Sequence, residues 1–128
     1  MSAMSDYLEN EILDHVLGTG AYTMPSTIYV GLSTGSFGDD DSGTELSGSG
    51  YTRKSITFAA ASSASAASNA TVTFPTATGS WGSISHYGVY DASTSGNLLI
   101  HGAFSAAKTI GSGDVLRINS GDLTVTAA

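Results

Sequence analysis

The chain has 128 residues, of which 11 are acidic, 4 are basic and none is cysteine, giving a formal net charge of −7. Four basic side chains cannot form the phosphate-neutralising patch that nucleic-acid binding requires, and without cysteine there are no disulfides or thiolate metal centres. No apolar stretch approaches the roughly 18 residues of a membrane span, and we expect no export by a signal peptide because the N-terminus is acidic.

Small residues dominate the composition. Ser, Thr, Gly and Ala supply 68 of the 128 residues, whereas Leu, Ile, Val and Phe together supply 26. This apolar share is near the level of about one fifth at which the core of a monomer becomes thin. The length predicts a single domain, residues 1–128. Only 12% of the residues are charged, and a surface so poor in charge suits burial against other protein chains.

Charge is distributed unevenly along the chain. Residues 1–45 contain eight of the carboxylates and no lysine or arginine. The basic residues all follow: Arg53, Lys54, Lys108 and Arg117. The acidic residues 1–45 of one copy could attract the more basic remainder of another copy. A solvated acidic surface is the alternative.

The N-terminal segment, residues 1–20, contains the one helix that the sequence predicts, at residues 5–17. Ser5 is a suitable N-cap, and Gly18 is a suitable residue to end the helix. Apolar side chains recur every four residues: Met4, Leu8, Ile12 and Val16. We expect this amphipathic stripe to lie on a sheet or on a neighbouring subunit.

The remainder, residues 27–128, is predicted to form a β-domain. Alternating apolar residues predict seven short strands: 27–32, 51–58, 70–74, 84–90, 98–104, 115–118 and 123–126. We interpret residues 33–50 and 59–69 as loops, because they are rich in Gly, Ser and Asp or in Ala and Ser. The fourth and fifth strands are predicted to form one hairpin, and the sixth and seventh another. The predicted fold is mainly β, an antiparallel β-sandwich or jelly-roll-like domain with one N-terminal helix.

Residues 72–90 hold the densest group of aromatic rings and the only tryptophan. Pro75 cannot continue a central strand, so this stretch is predicted to be two strands joined by a turn. We predict that the rings form a structural aromatic centre: Phe74, Trp81, Tyr87 and Tyr90. A ligand platform built on Trp81 is the alternative.

The sequence contains no recognisable catalytic pattern. No serine lies in a nucleophile-elbow motif, and no glycine cluster opens a helix as a phosphate-binding loop does. His86 and His101 lie on adjacent predicted strands, where we expect hydrogen-bonded structural imidazoles. Asp39 to Asp41 do not fit a calcium loop, and we expect them to form a solvated acidic surface. We therefore predict no enzyme activity, no catalytic residue, no cofactor and no metal.

Function is expected instead in contacts with other proteins. The candidate contact regions are the helix at residues 5–17 and the acidic stretch at residues 36–45. The candidate partner-contact residues are Tyr7, Glu11, Asp14, Phe37, Asp39, Asp40, Asp41, Arg53 and Lys54.

Six motifs occur in order along nearly the whole chain: SDYLEN, YTMPSTIYVGLST, GTELSGSGYTRKSITF, VTFPTATGSWGSISHYGVYDA, GNLLIHGAFS and SGDVLRINSGDLTVT. In these motifs the chain resembles a family of small tailed-bacteriophage virion proteins that are often labelled tail-fibre-like. The resemblance implies a structural protein that is assembled in the bacterial host cytoplasm and incorporated into the virion. It brings no catalytic residues.

Within this class the sequence favours a capsid decoration (cement) protein on the capsid exterior. Its expected partners are the major capsid protein and copies of itself, with a trimer favoured; neither nucleic acid nor a membrane is expected. Fibres are usually long and repetitive, whereas this chain is short and without internal repeats. A tail or adsorption subunit is the alternative, and a glycan-binding module using Trp81 is the second alternative.

Overall fold

A computed structural model of the chain describes residues 2–127. It contains one helix, α1 (Asp6–Leu17), and short strands. Most of the strands pair in antiparallel fashion with segments that are distant in the sequence. The strands are β1 (Ser2–Met4), β2 (Ile28–Ser33), β3 (Lys54–Ile56), β4 (Ser65–Ala67), β5 (Val72–Thr73), β6 (Gly82–Tyr90), β7 (Leu98–Ile110), β8 (Arg117–Ile118) and β9 (Thr124–Thr126). The predicted fold class is confirmed: the domain is mainly β, with one helix near its N-terminus.

Five strands form the main sheet, in the order β1-β7-β6-β2-β3, and every neighbouring pair is antiparallel. Two smaller ribbons, β4 with β9 and β5 with β8, supply the second layer. The main core includes Val30 and Leu32 of the sheet together with Val72 and Ile118 of one ribbon. The domain is therefore sandwich-like, with a continuous sheet facing two short ribbons.

The predicted hairpin of β6 and β7 is confirmed, with Tyr90 opposite Leu98. The second predicted hairpin is wrong, because its two strands pair with other segments: β8 with β5, and β9 with β4. The link between β8 and β9 instead docks on Ser68, whose N–H donates to Leu123 O and whose carbonyl accepts from Gly121 N–H. Distant pairing lets buried Ile118 and Leu123 reach the core, which a local hairpin pattern in the sequence does not reveal.

The segment 59–69 is also not purely a loop. Residues Ser65–Ala67 form β4, and Phe58 pairs with Ser68 across an isolated bridge. The chain reverses at Ser63 and Ala64, both of which have positive φ. Ala and Ser have little strand propensity, so these strand contacts depend on tertiary pairing rather than on the local sequence.

The pairing of β6 with β7 contains a β-bulge whose extra residues lie on β7. Ile84 pairs with Lys108 and His86 pairs with Ala103, so Ser85 alone faces residues 104–107 of β7. The bulge shifts the alternation of side chains between the two faces of β6, so that Ile84 and Tyr87 both belong to the main core.

Of the predicted aromatic centre, Phe74, Trp81 and Tyr87 are buried together in the main core. Tyr90 lies apart from them, in a second, small core. The prediction of one centre is wrong for this ring, because Tyr90 lies on the face of β6 opposite to Val89.

Helix α1 begins at its predicted cap. Ser5 N–H donates to Leu99 O at 2.8 Å, its hydroxyl donates to Leu98 O, and the same hydroxyl accepts from Leu8 N–H. Gly18 ends the helix with φ of 81°. Leu8 is the one helical residue that is fully buried among those described. Within residues 2–127 no helix is long and apolar enough to cross a membrane.

Candidate partner-binding surfaces

The acidic loop, residues 34–50, connects β2 to β3 and is held by a small core of its own. Phe37 is completely buried and contacts Tyr90 edge-to-face, with ring centroids 6.0 Å apart. Gly88 makes room for it, because a Cβ there would lie 3.3 Å from Phe37 and 2.9 Å from Leu98. The predicted role of Phe37 as a partner contact is therefore wrong, because its side chain is not accessible to a partner.

Arg53 fastens the same loop to two other parts of the chain. Its Nε and Nη2 donate to the two carboxylate oxygens of Glu45 at 2.9 and 2.7 Å. Its Nη1 donates to the carbonyls of Ala92 and Ser95 in the turn between β6 and β7. The guanidinium carbon lies 3.5 Å from the centroid of the Tyr90 ring, a cation–π contact.

The Arg53 side chain is only 7% exposed. Its predicted role as a partner contact is therefore wrong, since its N–H groups and the face of its guanidinium contact residues of the same chain. The guanidinium is planar and can bond a carboxylate with two parallel N–H groups, which is why one residue can hold a loop and a turn at once. Lys54, the next residue, is half-buried on the edge strand β3.

Two buried tyrosines complete this network. The Tyr51 hydroxyl donates to Glu45 and accepts from Leu32 N–H at 3.0 Å, while the Tyr90 hydroxyl donates to Asp41 at 2.9 Å. Burial and the neighbouring acids raise the pKa of both tyrosines. Burial acts to lower the pKa of Arg53, but the hydrogen bonds and charge of Glu45 raise it overall. The network thus keeps the arginine charged and the tyrosines neutral.

The remaining acids of the loop are exposed. Asp39 accepts from His101 Nε2 at 2.7 Å when the imidazole carries that proton, and its carbonyl accepts from Asp6 N–H at the start of α1. The pKa of Asp40 is lowered by hydrogen bonds from Ser42. Within residues 2–127 no three His, Asp or Glu side chains are placed to hold a metal ion. This surface offers carboxylates to a partner rather than a cation site.

The two histidines of the central hairpin have separate partners. The Ser85 hydroxyl lies 2.7 Å from His86 Nδ1, whereas His101 contacts Asp39. Both imidazoles are therefore hydrogen-bonded, as the sequence predicts for structural histidines.

The predicted contact residues of the helix are only partly available. Tyr7 and Glu11 are half-buried, and burial, then the charges of Glu11 and Asp91, raise the pKa of Tyr7. Asp14 is exposed, but its carboxylate accepts from the Thr19 hydroxyl at 2.9 Å.

A different side of α1 is more exposed. Glu9, Leu13, Val16 and Leu17 lie at intervals of three and four residues, which places them on one side. Leu13 is 56% exposed, and Val16 and Leu17 are each 71% exposed. We call these four residues the exposed helix face. The sequence predicts an apolar stripe here but not that its second half is left uncovered.

A groove of about 550 Å³ lies on the other side of the sheet. Residues 103–106 of β7 and both residues of β8 line it, together with buried Tyr87 and Leu116 and with Lys108. Sequence reasoning missed the groove because it depends on the bulge of β7 opposite Ser85, for which the sequence carries no signal. We call it the basic groove.

Trp81 takes no part in any surface site. It is 3% exposed, and its indole N–H donates to Ser49 O at 2.9 Å. A glycan platform requires an exposed ring face, so the alternative built on Trp81 is wrong.

The fold is that of a small β-rich module with one helix. Residues 3–126 match the family model described as Podophage GP4 fiber I protein gp80. The chain belongs to this family, because the match spans almost its whole length, and it is a structural protein of a phage virion. The resemblance found in the sequence motifs is thereby confirmed. A comparison with curated proteins gives no match.

Proposed function

We propose that the protein is a subunit of a podophage virion fibre. The observation that carries the proposal is the family match over residues 3–126, whose description names a fibre protein. The low charged fraction and the abundance of small residues support a module that functions while packed among other chains.

The proposed role is adhesive and non-enzymatic. A structural module benefits from a rigid shape, and the Arg53–Glu45 ion pair fixes a loop that would otherwise be mobile. We expect the exposed helix face and the surface residues Asp39, Asp40 and Asp41 to contact partners. Many copies in one particle make such individually weak contacts effective, because linked binding events raise the effective concentration.

Capsid decoration is the second candidate. The observation in its favour is the shape: residues 2–127 form a compact sandwich-like domain in which the sheet and both ribbons share one core, without the repeats that elongate a fibre. In this role the protein would bind the major capsid protein lattice. It would stabilise the expanded shell by linkage, because it binds the assembled form alone.

Cryo-electron microscopy of the intact virion separates the two roles by location. Density for this domain at the tail or neck supports the fibre role, and density on the capsid exterior overturns it in favour of decoration. A virion that lacks the protein provides a second readout. Loss of adsorption with unchanged thermal release of DNA is expected for a fibre subunit, whereas normal adsorption with release at lower temperature contradicts that role.

A further inference from the structure

Two of the four basic side chains of the protein lie at the basic groove without an acidic partner. Within residues 2–127 the ion pairs are Arg53–Glu45 and His101–Asp39. Lys108 and Arg117, both exposed, form neither. Asp122 also lines the groove, so the three charges leave it net positive, in a protein whose net charge is −7.

The exposed helix face has the opposite character. It presents three large aliphatic side chains to solvent and, one turn before them, the exposed carboxylate of Glu9. Aliphatic side chains at this spacing are the pattern by which an amphipathic helix binds a groove on a partner. Covering these side chains with a partner is favourable because it removes apolar surface from water.

The start of the helix and the groove lie on opposite sides of the main sheet. The groove is on the main-core side of the sheet, where Tyr87 of β6 forms part of its base. The start of α1 lies beside Asp39 and Leu98, near the small core on the opposite side. The helix itself contacts β1 and β7. Within one chain Leu13, Val16 and Leu17 stay largely exposed to solvent, so a contact that covers them joins two molecules.

We propose that the exposed helix face of one copy docks in the basic groove of a second copy. Leu13, Val16 and Leu17 pack against the apolar residues that line the groove, of which Phe104 is partly exposed, and Glu9 approaches Lys108 and Arg117. The groove volume of about 550 Å³ is within the range of roughly 300–1,000 Å³ that accommodates compact apolar groups. The complementary signs of charge select this occupant over a basic or neutral helix.

Such a contact is heterologous, because it joins two different patches. A heterologous contact generates a closed ring if its rotation closes and an open chain if it does not. One helix in one groove buries less than the roughly 1,200 Å² of a standard stable interface. We therefore expect weak pairing that strengthens when a ring closes. The inference deepens the proposed function by naming a second copy as a partner, and it is tested without the virion.

Sedimentation equilibrium of the purified full-length protein tests the contact. The wild type is expected to associate with rising concentration, and Leu17→Asp is expected to weaken association by about tenfold or more, since it removes a buried apolar group. Met24→Asp is the matched control, because Met24 is 80% exposed and lies outside the helix face. Circular dichroism confirms that each variant is folded.

Charge reversal gives a second test that does not depend on the apolar contact. Glu9→Lys and Lys108→Glu are each expected to weaken association by about threefold to tenfold at low salt, and the double variant to recover most of the loss. Glu11→Lys, the same change on another side of the helix, is the control. A monomeric wild type at all concentrations, or equal effects of Glu9→Lys and Glu11→Lys, overturns the inference.

These outcomes are separable from the assignment to a fibre. If the wild type is monomeric and Leu17→Asp instead abolishes its incorporation into virions, the helix face binds another virion protein and the contact between copies is overturned. The location of the protein in the virion is unaffected by that result.

Discussion

The acidic loop and the exposed helix face are similar in composition. The fold buries the apolar side chain of the loop, however, and leaves those of the helix face exposed. Both belong to the acidic first third of the chain, and both place apolar residues among carboxylates. In the loop, Phe37 is completely buried and Glu45 is paired with Arg53. In the helix face, Leu17 is 71% exposed and Glu9 has no basic neighbour among the described ion pairs.

The difference arises from what lies across from each segment. The loop has Gly88 beneath it, a position where the missing side chain leaves space for an aromatic ring. The helix face is left mostly exposed by its own chain, with Leu13 56% and Leu17 71% exposed. Composition therefore describes the charge of a segment, while the opposing surface decides whether that segment is fixed in the fold or available to a partner.

Removing the anchor of the loop should have the largest effect. Phe37→Ala is expected to lower the free energy of unfolding by about 3–5 kcal/mol, because it leaves a cavity against Tyr90 and Leu98. Urea unfolding followed by tryptophan fluorescence measures the change. Leu13→Ala in the exposed helix face is the control and should stay within about 0.5 kcal/mol of wild type. A small effect of Phe37→Ala would mean that the loop is not packed as described.

Breaking the ion pair of the loop should have the next largest effect. Arg53→Met is expected to cost about 3 kcal/mol, because it leaves Glu45 partly buried without its counter-charge. The double variant Arg53→Met/Glu45→Leu should be more stable than Arg53→Met, since replacing both members of such a pair is often nearly neutral. A double-mutant cycle from urea unfolding gives the coupling energy. Additive single effects would show that the two residues do not stabilise each other.

The sequence predicts local contacts well and contacts between distant segments poorly. The N-cap at Ser5, the end of α1 at Gly18 and the hairpin of β6 and β7 are all local features, and each was predicted. The pairing of β8 with β5 and of β9 with β4 was not, because strands of two or three residues have almost no pattern of their own.

The same limit applies to the candidate sites. The acidic residues of the loop could be assigned to the surface from their type, but the burial of Phe37 and Arg53 depends on Gly88 and on the turn at 92–95. The basic groove depends on the bulge of β7 opposite Ser85. Such features depend on strand register and side-chain packing between segments that are far apart in the chain. The hydrophobic periodicity of a single sequence does not indicate them.

Alkaline pH should weaken the loop before it affects the helix. The pKa values of Tyr51 and Tyr90 are raised, chiefly by burial, so the stability they contribute is present below the ordinary tyrosine pKa of about 10 and falls as the pH rises above it. The thermal midpoint is expected to fall by roughly a few degrees between pH 10 and 11. The double variant Tyr51→Phe/Tyr90→Phe should show a shallower decline over the same interval. Equal declines would assign the loss to other groups.

The smallest effect on stability is expected where the chain leaves its own apolar surface uncovered. Leu17→Ser should change the free energy of unfolding by less than about 0.5 kcal/mol, because the side chain contacts mainly solvent in the single chain. Urea unfolding at a protein concentration low enough to keep the chain monomeric measures this value. The same variant compared with wild type at high concentration should differ more, since wild type then gains stability from association. A loss of 2 kcal/mol or more at low concentration would show that Leu17 is buried within its own chain, and the contrast between the fixed loop and the available helix would fail.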